Sequence, residues 1–362
     1  MLHIQLELNV IVADQSMIYS QHYGQEAAEA ARRKVDTSVT AQKWFTHPVG
    51  MTVSAIIATL LWGSAMPAIK LGYEALKIGS DAAYEQWVFA GYRFALAGLM
   101  LILLTACMNR GTRADGVHYG QSRRVGWRVT RLAVIQTFLQ YIFFYIGLSL
   151  STGMKGAIIT GATSFFQMVI ARVVDRSESF TIGKILGLGL GFAGVIIVTF
   201  SNTGGAGMSF GIGDVCLILS ALFGAIGNVL ARHESRDFPV LWLTGRQMAL
   251  GGIGLILVGA WRAGFAPFQW DASSLLLLLY LAFLSAAGFS LWNLIMKYNQ
   301  VGKVSMFLFL IPLFGVLLSA WLLNESWNGG TLAALGLVVA GIIVVNRSSA
   351  EKSARKAVQR AV

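Results

Sequence analysis

The stretch GMKGAIITGATSFFQMVIARVVDRSESFTIGKILGLGLGFAGVIIV (residues 153–198) is answered by VGKVSMFLFLIPLFGVLLSAWLLNESWNGGTLAALGLVVAGIIVV (residues 301–345). Each is an apolar run, a short turn carrying Glu-Ser-aromatic, and a second apolar run ending Ala-Gly-(Val/Ile)-Ile. The turns are Glu178-Ser179-Phe180 and Glu325-Ser326-Trp327. Glu178 to Glu325 and Gly194 to Gly341 are both 147 residues apart. Two hairpins at one spacing are the mark of an internal duplication.

The duplication extends outward. Leu61-Trp62-Gly63-Ser64 is matched by Leu222-Phe223-Gly224-Ala225. Gly91-Tyr92-Arg93 with Gly98 is matched by Thr244-Gly245-Arg246 with Gly251, an arginine followed five residues later by glycine. Gly153-Met154-Lys155 is matched by Val301-Gly302-Lys303.

The chain of 362 residues is 56% hydrophobic and 12% charged, with mean hydropathy +0.64. Soluble domains carry about twice that charge. Apolar runs of membrane-crossing length recur from Met51 to Val345, each able to cross about 30 Å of hydrocarbon. Lipid offers no partner to a bare backbone group, so the spans are helices. The short alternating segments of a β-barrel are absent. Spans are predicted near 51–70, 84–107, 129–148, 154–173, 182–200, 210–231, 240–261, 273–296, 303–323 and 330–346. The fold class is therefore all-α integral membrane, ten transmembrane helices as two five-helix repeats. Five is odd, so the second repeat is inverted relative to the first, an architecture typical of secondary transporters.

Residues 1–50 read as a disordered cytoplasmic extension, and Met51 at the first apolar run suggests that part of it is an over-extended start. Residues 51–200 form repeat 1, 210–346 repeat 2, and 347–362 a basic cytoplasmic tail. Of 28 Lys and Arg, 22 fall on one side when both termini are placed inside, as positive-inside asymmetry requires. Outside fall Lys70, Lys77, Lys155 and Arg262, while Arg93 and Arg246 lie within spans. This gives a multi-pass protein of the cell membrane, N-in and C-in. The net charge of +11 is spread over loops and tails rather than clustered on a soluble domain, so nucleic acid is not the expected partner. Cys107 and Cys216 sit in or beside apolar runs and suggest no disulfide framework. The five histidines are all in the N-terminal tail or polar loops, which argues against His-dependent catalysis or a His-ligated metal in the membrane.

These residues resemble the drug/metabolite transporter superfamily, specifically its EamA-type proteins. The likeness rests on Leu-Leu-Trp-Gly-Ser (60–64) with Lys70, on Arg93-Phe94, on Pro312, and on the Glu178 and Glu325 turns before the Ala-Gly-Val/Ile helices. It covers about residues 51 to 346. Departures are Ser164-Phe165 where the second repeat has Pro312, the N-terminal extension, and a long loop from Cys107 to Arg128. The resemblance implies a carrier of small metabolites working by alternating access, often an exporter of amino acids.

A charge inside a span costs on the order of 3 kcal/mol and so faces protein or water. Arg93 is the candidate carboxylate binder, with Arg246 its counterpart; the structural alternative pairs Arg93 with backbone carbonyls or an acid such as Glu85. Gln136 and Gln140 lie four apart, with Tyr141 and Tyr145 beside them, a polar stripe that lines a cavity or bonds between helices. Gln167, Asn228, Trp292 and Asn293 invite the same reading, and Trp62 an aromatic wall. Glu85 and Asp214 are candidates for proton coupling, and Lys155 for gating or for snorkelling to the interface. Glu178 and Glu325 suit helix N-terminal dipoles.

The expected partners are a small-molecule substrate and the lipid bilayer, with no nucleic acid and no cofactor; a homodimer is left open. No G-x-x-x-x-G-K-[ST] loop is present, so ATP drive is not expected. The leading expectation is a metabolite exporter, not an enzyme. Nucleotide-sugar or sugar-phosphate carriage, and a non-transporting scaffold or sensor, stay open beside it.

Overall fold

The computed structural model describes residues 39–79, 81–109, 122–150, 153–175, 178, 181–203, 211–322 and 329–361. Ser179 and Phe180 of the first duplicated turn, Glu325-Ser326-Trp327 of the second, and most of the loop between Cys107 and Arg128 lie outside these residues. Among the described residues every regular element is helical. The helices are α1 (Pro48–Leu76), α2 (Ala83–Asn109), α3 (Arg123–Leu150), α4 (Gly153–Val174), α5 (Ile182–Thr203), α6 (Ile212–Glu234), α7 (Val240–Ala263) and α8 (Ala272–Tyr298). Then come a composite α9 (Val301–Val304, a 3-10 stretch Ser305–Phe309, and Leu310–Leu322) and α10 (Gly329–Ala361).

Six of them, α1, α2, α3, α6, α7 and α8, are long and apolar enough to cross a membrane. The other four carry shorter apolar stretches, Ile159–Val174, Ile182–Ile197, Val301–Gly315 and Leu332–Val345. The chain is a multi-helix membrane protein.

Helix ends follow local chemistry. Pro48 opens α1 at the position where a missing N–H costs nothing, and His47 Nδ1 accepts from Val49 N at 3.3 Å. Lys77 closes α1 in the left-handed region, φ 55°. Folded structure reaches further toward the N-terminus than the expected boundary at Met51. Residues 39–46 are helical, Trp44 Nε1 donates to Ser54 Oγ at 3.2 Å, and the buried Phe45 stacks on Tyr298. Asp271 caps α8, accepting from Ser274 N at 2.8 Å and from Ser273 Oγ at 2.7 Å, while Asp271 N donates to Ser274 Oγ at 3.0 Å.

Packing is pairwise. The helix α2 lies along α7 and α5 along α10. Two triplets accompany them, α1 against α8 and α9, and α6 against α3 and α4. In lipid no hydrophobic force drives helices together, so close approach of small residues must do it. At the α2–α7 seam a Cβ added to Gly98 would come within 2.6 Å of Gly245 O, and one added to Gly252 within 2.8 Å of Gly91 O. Numbers rising from 91 to 98 face numbers falling from 252 to 245, so the two helices run antiparallel. The α5–α10 seam is built alike: Cβ atoms at Gly187 and Gly341 would each sit 2.7 Å from the other residue's carbonyl oxygen.

Two departures from regular α-helix stand in the interior. A π-helical stretch, Ala133–Leu139, turns Gln136 and Thr137 inward within α3. The 3-10 stretch of α9 is followed by Pro312, which has no N–H to return to the carbonyl of Leu308. Such stretches often mark functional positions.

Two outcomes follow from this packing. Gly98→Ala forces the α2–α7 seam apart and should lower stability by about 1–3 kcal/mol, read as a lower Tm in detergent. Gly189→Ala, with nothing within 4 Å of the new Cβ, should not. The Asp271 carboxyl is pulled down to about 2, first by its bond from the Ser274 hydroxyl and backbone. A depressed folded value means that this cap contributes fully above the unfolded value near 4 and is lost as pH falls through about 2. Asp271→Asn should flatten that acid limb of an unfolding titration.

Candidate functional site

A cavity of about 130 Å³ opens among α1, α2, α3, α4, α6, α8 and α9. Its walls are aromatic. Trp62 meets Phe289 edge-on at 5.1 Å, and Tyr141 meets Phe94 at 4.4 Å between ring centres. Phe144, Tyr145, Leu308 and Ile311 complete the apolar lining. Polar groups are few: Gln140, Asn228, Ser220, Thr160, Thr163 and Arg93.

Arg93 is the one charged side chain among the lining residues, and it is only 3% exposed. Its Nε donates to Ser285 Oγ at 2.6 Å. Ser285 spends its own proton on Leu281 O, also at 2.6 Å, which leaves its lone pairs to the arginine. The guanidinium also lies 5.0 Å from the centre of the Phe94 ring. The two terminal nitrogens find no hydrogen-bond acceptor among the described residues. The pairing with Glu85 weighed from sequence does not occur; Ser285 on α8 holds the arginine instead. A fork of two terminal nitrogens in a mainly aromatic chamber, with no acid among the lining residues, is matched in geometry by a carboxylate.

The structure brings together six of the residues singled out from sequence: Trp62, Arg93, Gln140, Tyr141, Tyr145 and Asn228 line the cavity. Gln136 and Gln167 lie behind it, joined through Asn228. Gln136 Nε2 donates to Asn228 Oδ1 at 2.8 Å, and Asn228 Nδ2 donates to Gln167 Oε1 at 2.7 Å. Gln167 Nε2 then donates to Ser305 Oγ at 2.8 Å. Trp292 is fully buried behind Trp62, 5.5 Å between ring centres. Asn293 Nδ2 donates to Thr244 Oγ1 at 3.0 Å, away from the cavity. Arg246 does not mirror Arg93. Its guanidinium stacks 4.1 Å over Trp242, and Nη1 has no partner among the described residues.

The titratable candidates stand apart from the cavity. Glu85 is half-buried in the first turn of α2. Asp214 is buried in the first turn of α6, where it accepts from Gly211 N at 2.9 Å as a cap. Lys155 stands in the first turn of α4. Glu178 does meet a helix N-terminus, but that of α9 rather than the following α5: Val301 N donates to Glu178 Oε1 at 2.6 Å. Among the described residues no three His, Cys, Asp or Glu side chains converge as metal ligands would.

Ser285, Phe289, Ser220, Thr160 and Thr163 are site residues that the sequence reading passed over. Thr160 and Thr163, one turn apart on α4, were the readable signal, a small polar stripe at helical spacing.

Comparison with known proteins agrees with this geometry. The EamA-like transporter family matches residues 51–200 and again 211–347. "Uncharacterized transporter YvbV" of Bacillus subtilis (strain 168) is 29% identical over 82% of this chain and 91% of its own. "Probable amino-acid metabolite efflux pump" of Salmonella typhimurium (strain LT2) is 23% identical over 80% and 92%. One crystal structure shares the fold with a TM-score of 0.67 at 17% identity, over 82% of this chain and 96% of that one. With both halves matched and a buried cavity between the helices, the chain belongs to the EamA-like transporter family.

Proposed function

We propose that the protein is a secondary active exporter of small carboxylate-bearing metabolites, amino acids foremost, working by alternating access. The observation that carries this is Arg93: the one cation among the described lining residues of an aromatic chamber, with both terminal nitrogens free and no acid within that lining. An uncompensated buried charge is costly, and an anionic ligand would supply what the protein does not. The efflux name of the Salmonella relative supports both the class and the direction.

Helix pairing supports ten spans in two inverted repeats, residues 51–200 and 210–346. Advancing each helix label by five, cyclically, turns the α1–α8 contact into α6–α3 and α1–α9 into α6–α4, and it returns α2–α7 and α5–α10 to themselves. The last two are the antiparallel glycine seams. This is the pattern of a pseudo-twofold axis in the membrane plane. With both termini at the cytoplasmic face, the cavity lies in the outer half, because its residues on α3 and α6 stand toward the outer ends of those helices.

A nucleotide-sugar or sugar-phosphate substrate needs several cations in one chamber. Arg246 stands over Trp242 outside the cavity, so the described lining of the chamber offers only one. That favours a monocarboxylate. A scaffold would have no use for a buried arginine whose terminal nitrogens face a cavity.

Export should be saturable. In the growth medium of overproducing cells one class of metabolite accumulates, and Arg93→Ala at equal membrane level should abolish that accumulation. Arg93→Lys keeps the charge but loses the fork, and should fall between, by roughly tenfold in apparent affinity for a lost charge-assisted bond of about 1.4 kcal/mol. Media that match those of vector-only cells would sink the reading. Orientation is tested separately: a lone cysteine at Phe265 should react with an impermeant reagent from outside, and one at Arg236 only from within.

A further inference from the structure

Glu178 lies in the short connection between α4 and α5, yet two of its three partners belong to the other half of the chain. Oε1 accepts from Val301 N, the first residue of α9, at 2.6 Å, and Oε2 meets Lys184 Nζ at 3.4 Å. Arg232, near the end of α6, reaches Glu178 at 4.0 Å and Asp175 at 3.4 Å, and donates to Met296 O of α8 at 3.0 Å. Glu178 and Lys184 are both nearly fully buried. One carboxylate thus ties α4 and α5 to α6 and α9. Beside it Glu234 pairs with both Arg128 and Arg131, and Arg128 also meets Asp237 at 2.5 Å, binding α3 to the end of α6. The ion pairs of Asp175, Glu178, Glu234 and Asp237 all lie on this one basic face.

The helix end held by Glu178 departs from regular α-helix. Its α-helical first turn gives way to the 3-10 stretch Ser305–Phe309, and Pro312 follows. Leu308 and Ile311, on this weakened part, line the cavity. Ser305 Oγ donates to Val301 O at 2.7 Å and accepts from Gln167, which Asn228 of the cavity wall in turn bonds. Between cavity and basic face, as judged by position along α3, α7 and α8, sit buried polar atoms without partners among the described residues: Gln136 Oε1, Gln247 Nε2, Ser290 Oγ and Asn293 Oδ1. Groups of this kind are costly when sealed, which suits a region that is solvated in a second conformation.

We propose that Glu178 is the latch of a gate on the basic face. It holds the N-terminus of α9 against α4, α5 and α6, and its release swings α9 about the 3-10 stretch to open a path from that face to the cavity. This rests on the alternating-access reading and adds the element that closes one side.

The test needs no substrate. Cys107 and Cys216 are replaced by Ser, and Val304→Cys, fully buried behind the latch, is alkylated with a membrane-impermeant maleimide in right-side-out and inverted vesicles. Glu178→Gln keeps the shape and an acceptor for Val301 N while removing the charge. It should raise labelling from the basic face at least tenfold and leave labelling from the opposite face unchanged. Lys184→Met should act in the same direction, and monodispersity in detergent checks that each variant is folded. Unchanged labelling in both folded variants overturns the latch, as does a rise from both faces alike, the mark of general loosening. Absence of export by the unaltered protein, with this labelling pattern intact, would instead count against the transport reading alone.

Discussion

A helix in hydrocarbon gains nothing by hiding its apolar side chains, because lipid is as apolar as leucine. What remains is contact, and contact is closest where two backbones can touch. The α2–α7 seam depends on that constraint, with Gly91 and Gly98 set against Gly252 and Gly245. It places Arg93 on α2, between the two glycines of its own helix, at fixed depth and facing inward. Every other feature of the cavity is referenced to that arginine: Ser285 receives its Nε, Phe94 lies under its charge, and Tyr141 packs on Phe94.

Much of this was written in the order of residues. The duplicated hairpins, the arginine-then-glycine pattern at 93–98 and 246–251, and the inward stripe of Gln136, Gln140 and Tyr141 all follow from period and hydropathy, which a sequence displays directly. What it could not display was which helix answers which. Glu178 stands just before α5, so the dipole of α5 was the natural expectation; its oxygen in fact meets Val301, 123 residues away. Ser285 is one of several serines in an apolar run, and nothing in its neighbourhood marks it as the partner of Arg93, 192 residues distant. Long-range partners are set by helix packing, and packing is the level that local pattern reports least.

The two repeats differ most where they would be expected to agree. Arg93 and Arg246 occupy matching places, yet one enters a chamber and the other stacks on Trp242 near the opposite face. Equivalent segments in one chain carry equivalent packing preferences, but a carrier open to one side cannot place both halves alike. On the proposed alternating-access reading, the difference between the arginines reports state: the face toward which the chamber lies is the open one.

The ion pairs of the basic face bear on the proposed latch. A surface pair is worth little, but Glu178 and Glu234 are buried, and each is held by more than one cation. Removing a partner from such a site leaves a charge sealed in low dielectric, so these groups must separate together and into water or not at all. On the proposed latch, that makes the cluster bistable rather than graded. A graded contact would leak at intermediate positions, whereas an all-or-none contact keeps one side of the cavity shut until the whole basic face can be solvated.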